Sequence, residues 1–156
     1  MENIVMEEAK IIFRNFEGRA DEYNREGSRN FAVVIEDTLL VDKLRRDGWN
    51  VREYQRNEED DILYYLPVAV SYKVAPPKIY SVIHGKRTSL NECMVGELDH
   101  AEIRSVDLTI RPYKWKIDNK SGVKEGVKAY LKTMYAVLEE DEFAYKYSDC
   151  SDEGKL

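Results

Sequence analysis

Residues 103–138 constrain the fold more than any other part of the chain. Ile103 to Ile117 reads as one long strand interrupted at Pro112. Asp118-Asn119-Lys120-Ser121-Gly122 reads as a turn, and Val127 to Leu138 as the partner strand. Two arms joined by so short a polar turn predict an antiparallel hairpin. Side chains alternate between faces along a strand, so Lys114 and Lys116 take one face and Tyr113, Trp115 and Ile117 the other. On the second arm Lys128, Tyr130, Lys132 and Met134 share a face. Ala129, Leu131, Tyr135 and Val137 take the other, which is expected to face the core.

The rest of the chain is also strand-rich. Ile11 to Phe16 and Phe31 to Ile35 read as strands on either side of a polar loop, residues 17–30, that holds two glycines. Asp37 can cap the first turn of a helix whose apolar face is Leu40, Val41 and Leu44, and Gly48 ends it. Trp49 to Tyr54, Ile62 to Tyr72 and Lys78 to Ile83 are further strands, with Pro67 marking an edge or a bulge. Ser89 and Glu92 have capping-box spacing, which predicts a second short helix with Leu90, Met94 and Leu98 facing the core. Five to seven strands, two short helices and no regular β-α alternation predict a mainly β fold, all-β or α+β. A small antiparallel barrel of the oligonucleotide-binding kind fits, as do other architectures.

Charge divides the chain further. Of 156 residues, 24 are Lys or Arg and 30 are Asp or Glu, a formal net charge of −6. Taken whole, that balance argues against binding a polyanion. Residues 139–156, however, hold seven acids and two bases, whereas residues 111–132 hold seven bases and two acids. The expected organisation is one OB-like β domain over 1–138 and an acidic, flexible tail over 139–156. Such a tail can compete for a basic groove, recruit replication or host proteins, or simply keep the chain in solution. No apolar run approaches a membrane span, and Met1-Glu2-Asn3-Ile4 lacks a signal pattern, so no membrane role and a cytoplasmic location are expected.

Catalysis has little support. His84 and His100 lack the spacing of a metal or triad motif, and no phosphate-loop, dinucleotide or nucleophile-elbow motif occurs. Cys93 reads as a small buried hydrophobe, and Cys150 lies in the tail. Glu58-Glu59-Asp60-Asp61 reads as a solvated turn. No enzyme activity, metal or cofactor is expected.

Binding has more. A strand face of Lys128, Tyr130 and Lys132 offers ammonium groups to phosphates and a ring to bases. The competing reading is an ordinary solvent-exposed sheet face, and Trp115 is at least as suited to the core. In the polar loop, Arg14, Arg19, Arg25 and Arg29 interleave with Phe16, Tyr23 and Phe31. Glu17, Asp21, Glu22 and Glu26 match those arginines in number, so a self-neutralised loop is the alternative. The loop gains meaning only if the fold carries it to the hairpin.

Several phrases resemble a known group. They are Arg14-Asn15-Phe16-Glu17-Gly18, Tyr23 to Phe31, Asp47-Gly48-Trp49-Asn50-Val51, Val106 to Trp115, and Gly126 to Lys132. Over roughly residues 11–147 the chain is similar to small bacteriophage and prophage proteins described as single-stranded DNA-binding. The resemblance implies an oligonucleotide-binding-type barrel acting in phage DNA replication or recombination inside the bacterial host. On that reading Arg25, Arg29, Arg111, Lys114, Lys116, Lys128 and Lys132 contact phosphates, while Tyr130, Tyr113, Trp115 and Tyr23 stack on bases. Acidic-tailed phage binders often end in an aromatic residue, whereas this chain ends Gly154-Lys155-Leu156. The alternative is a phage accessory protein that binds and inhibits a host defence protein or nuclease. Oligomer formation and DNA-versus-RNA preference stay open.

Overall fold

Period-two alternation translates directly into strand. A computed structural model describes residues 1–139. In chain order the elements are β1 (Ile4–Ala9), β2 (Ile11–Asn15), β3 (Arg29–Val34), α1 (Thr38–Arg46), β4 (Arg52–Tyr54), β5 (Leu63–Val70), β6 (Lys78–Ile83), β7 (Lys86–Ser89), a 3-10 turn (Val95–Asp99), β8 (Ile103–Asn119) and β9 (Gly122–Leu138). The expected acidic tail lies outside the described residues apart from Glu139, which accepts a hydrogen bond from Arg104 at 3.4 Å.

β8 and β9 form the expected hairpin, paired from Ile103 with Leu138 to Asn119 with Gly122. Pro112 does not interrupt it and sits opposite Ala129. The face assignment along β9 changes partway. Thr109 pairs with Thr133, and Ile110 with Leu131, which leaves Lys132 as an unmatched residue. One extra residue in a strand of period two reverses every side chain beyond it. Val127, Ala129 and Leu131 are buried before the bulge, and Met134 and Ala136 after it. Met134 therefore belongs to the core rather than to the lysine face, and Tyr135 and Val137 turn the other way.

The mainly β class holds: the described residues form one nine-stranded sheet whose main path runs β1-β8-β9-β5-β3-β2. β4 adds to β5, while β6 joins β9 and β7 joins β6. The sheet is mixed rather than wholly antiparallel. β9 is long enough to take two parallel partners along its length, β5 at Ala129 and Tyr130 and β6 at Thr133 to Val137. Pro67 falls between the segment of β5 that pairs with β4 and the segment that pairs with β9, so its missing N–H is accommodated where the partner changes.

β1 and β2 stand at opposite ends of the strand order, yet only Lys10 separates them in the chain. The sheet must therefore curl until its ends meet at that corner. Irregular pairing between Met6 and Ala9, and between Ile12 and Asn15, supplies the bend. Glu8 and Phe13 adopt positive φ of 50° and 52° there. The ladder stays open because β1 and β2 do not pair with each other.

The curl encloses a core that includes Phe16, Phe31, Val33, Leu66, Val68, Ile79, Ile110, Leu131 and Met134. α1 packs Val41 and Leu44 onto it. As expected, Asp37 caps this helix, its carboxylate accepting from Leu39 N at 2.9 Å and Leu40 N at 3.4 Å. Gly48, at φ 96°, turns the chain after it. The second helix is only the 3-10 turn. Ser89 is consumed by β7, where it pairs with Tyr80. Asn91 caps the next turn instead, accepting from Cys93 N at 2.9 Å and Met94 N at 3.0 Å. Leu90 and Leu98 are buried as expected, but Cys93 is exposed. Among the described residues no helix is long and apolar enough to cross a membrane.

Candidate nucleic-acid interface

The polar loop has little apolar content of its own and is built by hydrogen bonds. Its two flanking triplets, Arg14-Asn15-Phe16 at the end of β2 and Arg29-Asn30-Phe31 at the start of β3, meet where Asn15 pairs with Asn30. The two phenylalanines stack with ring centroids 5.2 Å apart. The buried Asn15 side chain accepts from Arg19 N at 2.8 Å and donates to Arg19 O at 3.0 Å. Asn24 Nδ2 donates to Arg19 O and Ser28 O, and Asn30 Nδ2 donates to Asn24 Oδ1. At the neck, Gly27 N donates to Gly18 O at 2.7 Å. A Cβ on Gly18 would stand 3.0 Å from Gly27 C, and Gly18 has φ 76°, so glycine is required there.

The 3-10 turn anchors the loop from the other side. Asp99, with a side chain 1% exposed, accepts from Phe16 N at 2.7 Å and Glu17 N at 3.0 Å. Arg14 donates to Leu98 O and Ala101 O, both at 2.7 Å. Two of the loop arginines thus serve the loop itself, since Arg19 lies 3.9 Å from both Glu17 and Asp99. Arg25 and Arg29 are held beside the hairpin.

There they border a continuous groove. Two clefts, of about 610 and 560 Å³, share Ser28, Arg29, Ala69 and Lys128. The first runs to Asn50, Trp115 and Gly126, and the second to Arg25, Tyr72, Lys73 and Tyr130. Cross-strand partners share a face, and Arg111–Tyr130, Tyr113–Lys128 and Trp115–Gly126 are such partners. Arg111 lies over the Tyr130 ring at 5.5 Å and Lys128 at 5.2 Å, with the Tyr113 ring edge-on to Tyr130 at 6.0 Å. Cations thus already contact Tyr130, the leading stacking candidate. The more open rings are Tyr113, 58% exposed, and Trp115, 37% exposed. A Cβ on Gly126 would stand 2.8 Å from Trp115 Cζ2, so glycine lets the indole rest against the opposite strand.

The remaining candidates fall elsewhere. Lys114 and Lys116 pair with Val127 and Glu125 and occupy the reverse of the hairpin. Lys114 borders a separate cleft with Asp47 and Trp49. Lys132 is exposed at the bulge, and Tyr23, 94% exposed, sits at the loop tip.

Sequence reasoning missed Tyr72 and Lys73, which close the second cleft from the end of β5. The Arg29 guanidinium lies 5.7 Å over the Tyr72 ring and 3.4 Å from Glu92. Burial pushes the Tyr72 hydroxyl above its ordinary ionisation range, with Arg29 opposing and Glu92 adding to the rise. The signal was non-local, because Tyr72 and Lys73 reach the hairpin only through parallel pairing of β5 with β9. Among the described residues no group of three or more His, Cys, Asp or Glu could hold a metal ion.

The curled sheet has counterparts among solved structures. The fold is similar to that of the single-stranded DNA-binding protein from bacteriophage Enc34. A C-terminally truncated form superposes with TM-score 0.55 at 12% identity, covering 89% of this chain and 87% of that one. A second structure of that protein gives TM-score 0.53 at 12% identity, covering 96% and 90%. Its complex with single-stranded DNA gives TM-score 0.53 at 10% identity, covering 90% and 89%. No curated protein matches the sequence. Residues 1–154 match a family model described as "Putative phage ssDNA-binding domain". The match spans nearly the whole chain, which therefore belongs to the phage ssDNA-binding domain family.

Proposed function

We propose that the chain binds single-stranded DNA along this groove, acting on strands exposed during phage replication or recombination in the host cytoplasm. The observation that carries the reading is that the arginine loop and the aromatic face of the hairpin border one groove. Arg25, Arg29, Arg111 and Lys128 follow the phosphates. Tyr113 and Trp115 stack on bases. Tyr130 holds Arg111 and Lys128 in place through its ring faces. Lys114, Lys116 and Lys132 add positive field without lining the groove. Single strands are favoured over duplex because paired bases stack on one another and offer no free face to the rings.

Four groove cations at about 0.7 each predict a salt slope of roughly −3 for oligo(dT). Neutralising Arg111 and Lys128 together should flatten that slope by about 1.4, and neutralising Lys114 and Lys116 by clearly less. A fluorescence-anisotropy titration across salt concentrations measures both. Absence of salt-sensitive binding at low ionic strength would sink the reading, and equal effects of the two double neutralisations would move the site off this face.

A further inference from the structure

Among the described residues, three buried side-chain polar atoms lack a hydrogen-bond partner: Arg29 Nε, Tyr72 Oη and Arg111 Nε. Buried donors are nearly always paired, and an unmet one destabilises the fold that carries it. All three belong to residues of the groove face, and Arg29 and Tyr72 line the same cleft with the guanidinium over the ring. An unmet Nε–H and an unmet phenolic O–H on two residues of one cleft call for an acceptor, and an oxyanion can serve both. Glu92 lines this cleft too, with Oε1 3.4 Å from Arg29 Nη1. That distance is long for a charge-assisted bond, and the Glu92 side chain is 55% exposed, so the carboxylate is loosely held.

We propose that Arg29 and Tyr72 form an oxyanion subsite for one backbone phosphate of a bound strand, and that Glu92 stands in for that phosphate in the free protein. The proposal rests on the single-stranded DNA reading above. An arriving phosphate displaces a half-exposed carboxylate and engages the hydroxyl and the Nε–H that the fold leaves unmet. Burial favours the protonated phenol, so Tyr72 remains a donor at neutral pH.

Tyr72→Phe removes the hydroxyl and keeps the ring beneath Arg29. It should weaken oligo(dT) binding about tenfold with an unchanged salt slope, because no charge is lost. The free variant should melt no lower than the parent, since an unmet buried hydroxyl has gone. A purely structural hydroxyl would lower stability and affinity together. Glu92→Gln should tighten binding about two- to fivefold at low salt, more than Glu125→Gln, which removes the same charge at the hairpin edge of the first cleft and does not border the cleft of Tyr72. On an oligo(dT) with methylphosphonate linkages, which keep a neutral acceptor oxygen but lose the charge, the Tyr72→Phe penalty should shrink to about threefold or less. Unchanged affinity of Tyr72→Phe, a Glu92→Gln gain no larger than that of Glu125→Gln, or a Tyr72→Phe penalty undiminished on the neutral backbone would each overturn the subsite. Failure of the unmodified protein to bind oligo(dT) would overturn the DNA reading itself, which keeps the two outcomes distinct.

Discussion

Replacing Tyr113 and Trp115 together by alanine should weaken oligo(dT) binding by about 30-fold or more and leave the fold intact. Base stacking on an aromatic side chain contributes about 1–3 kcal/mol per base. Two open rings therefore account for at least about 2 kcal/mol, and for several if both are fully used. Both side chains are substantially exposed on the projecting part of the hairpin, so the core scarcely registers their loss. Trp49, the other tryptophan, is 5% exposed and continues to report on the core. Anisotropy titration gives the affinity, and urea denaturation checks the fold. A double variant that binds within about threefold of the parent would show that these rings are not the stacking platform.

Asp99→Ala should be the most damaging single change in the polar architecture, costing about 2–3 kcal/mol. Its carboxylate is almost wholly buried and accepts two backbone N–H groups at the neck of the loop. Without it the part-buried Phe16 N loses its acceptor, while the more exposed Glu17 N turns to water. Arg19, 3.9 Å away and half exposed, adds little. For a chain of this size the melting temperature should fall by roughly 5–10 °C. The loop carries Arg25 and Arg29, so oligo(dT) affinity should fall with stability. Asp99→Asn keeps one acceptor and should recover part of both. An Asp99→Ala protein that melts within about 2 °C of the parent would mean that the loop neck does not depend on this carboxylate.

Local features are legible in short stretches of residues. The arms of the hairpin follow from period-two alternation around Asp118 to Gly122. The helix follows from Asp37 and Gly48, and the separation of Lys114 and Lys116 from Tyr113 and Trp115 follows from strand geometry. The bulge at Lys132 is not legible in this way. A single unmatched residue has no composition of its own, and it exists only because Thr109 and Ile110 take Thr133 and Leu131 as partners. It sends Met134 to the core. The capping-box spacing at Ser89 misleads for a related reason, since β7 claims Ser89 by pairing it with Tyr80.

The repeated Arg-Asn-Phe triplet is visible in the sequence, but its meaning comes from the fold, which pairs Asn15 with Asn30 and stacks the Phe16 ring on Phe31. The sequence alone determined the class of the fold, its strongest hairpin and the residue types able to meet a strand of DNA. These depend on periods of two and on caps a few residues long. Only the tertiary structure decided which of those residues meet. Parallel pairing of β5 with β9 brings Tyr72 to the hairpin, and backbone hydrogen bonds to Asp99 secure the loop that holds Arg25 and Arg29 at the groove. Contacts between residues tens of positions apart are set by the closing of the sheet, and no short stretch of sequence encodes them.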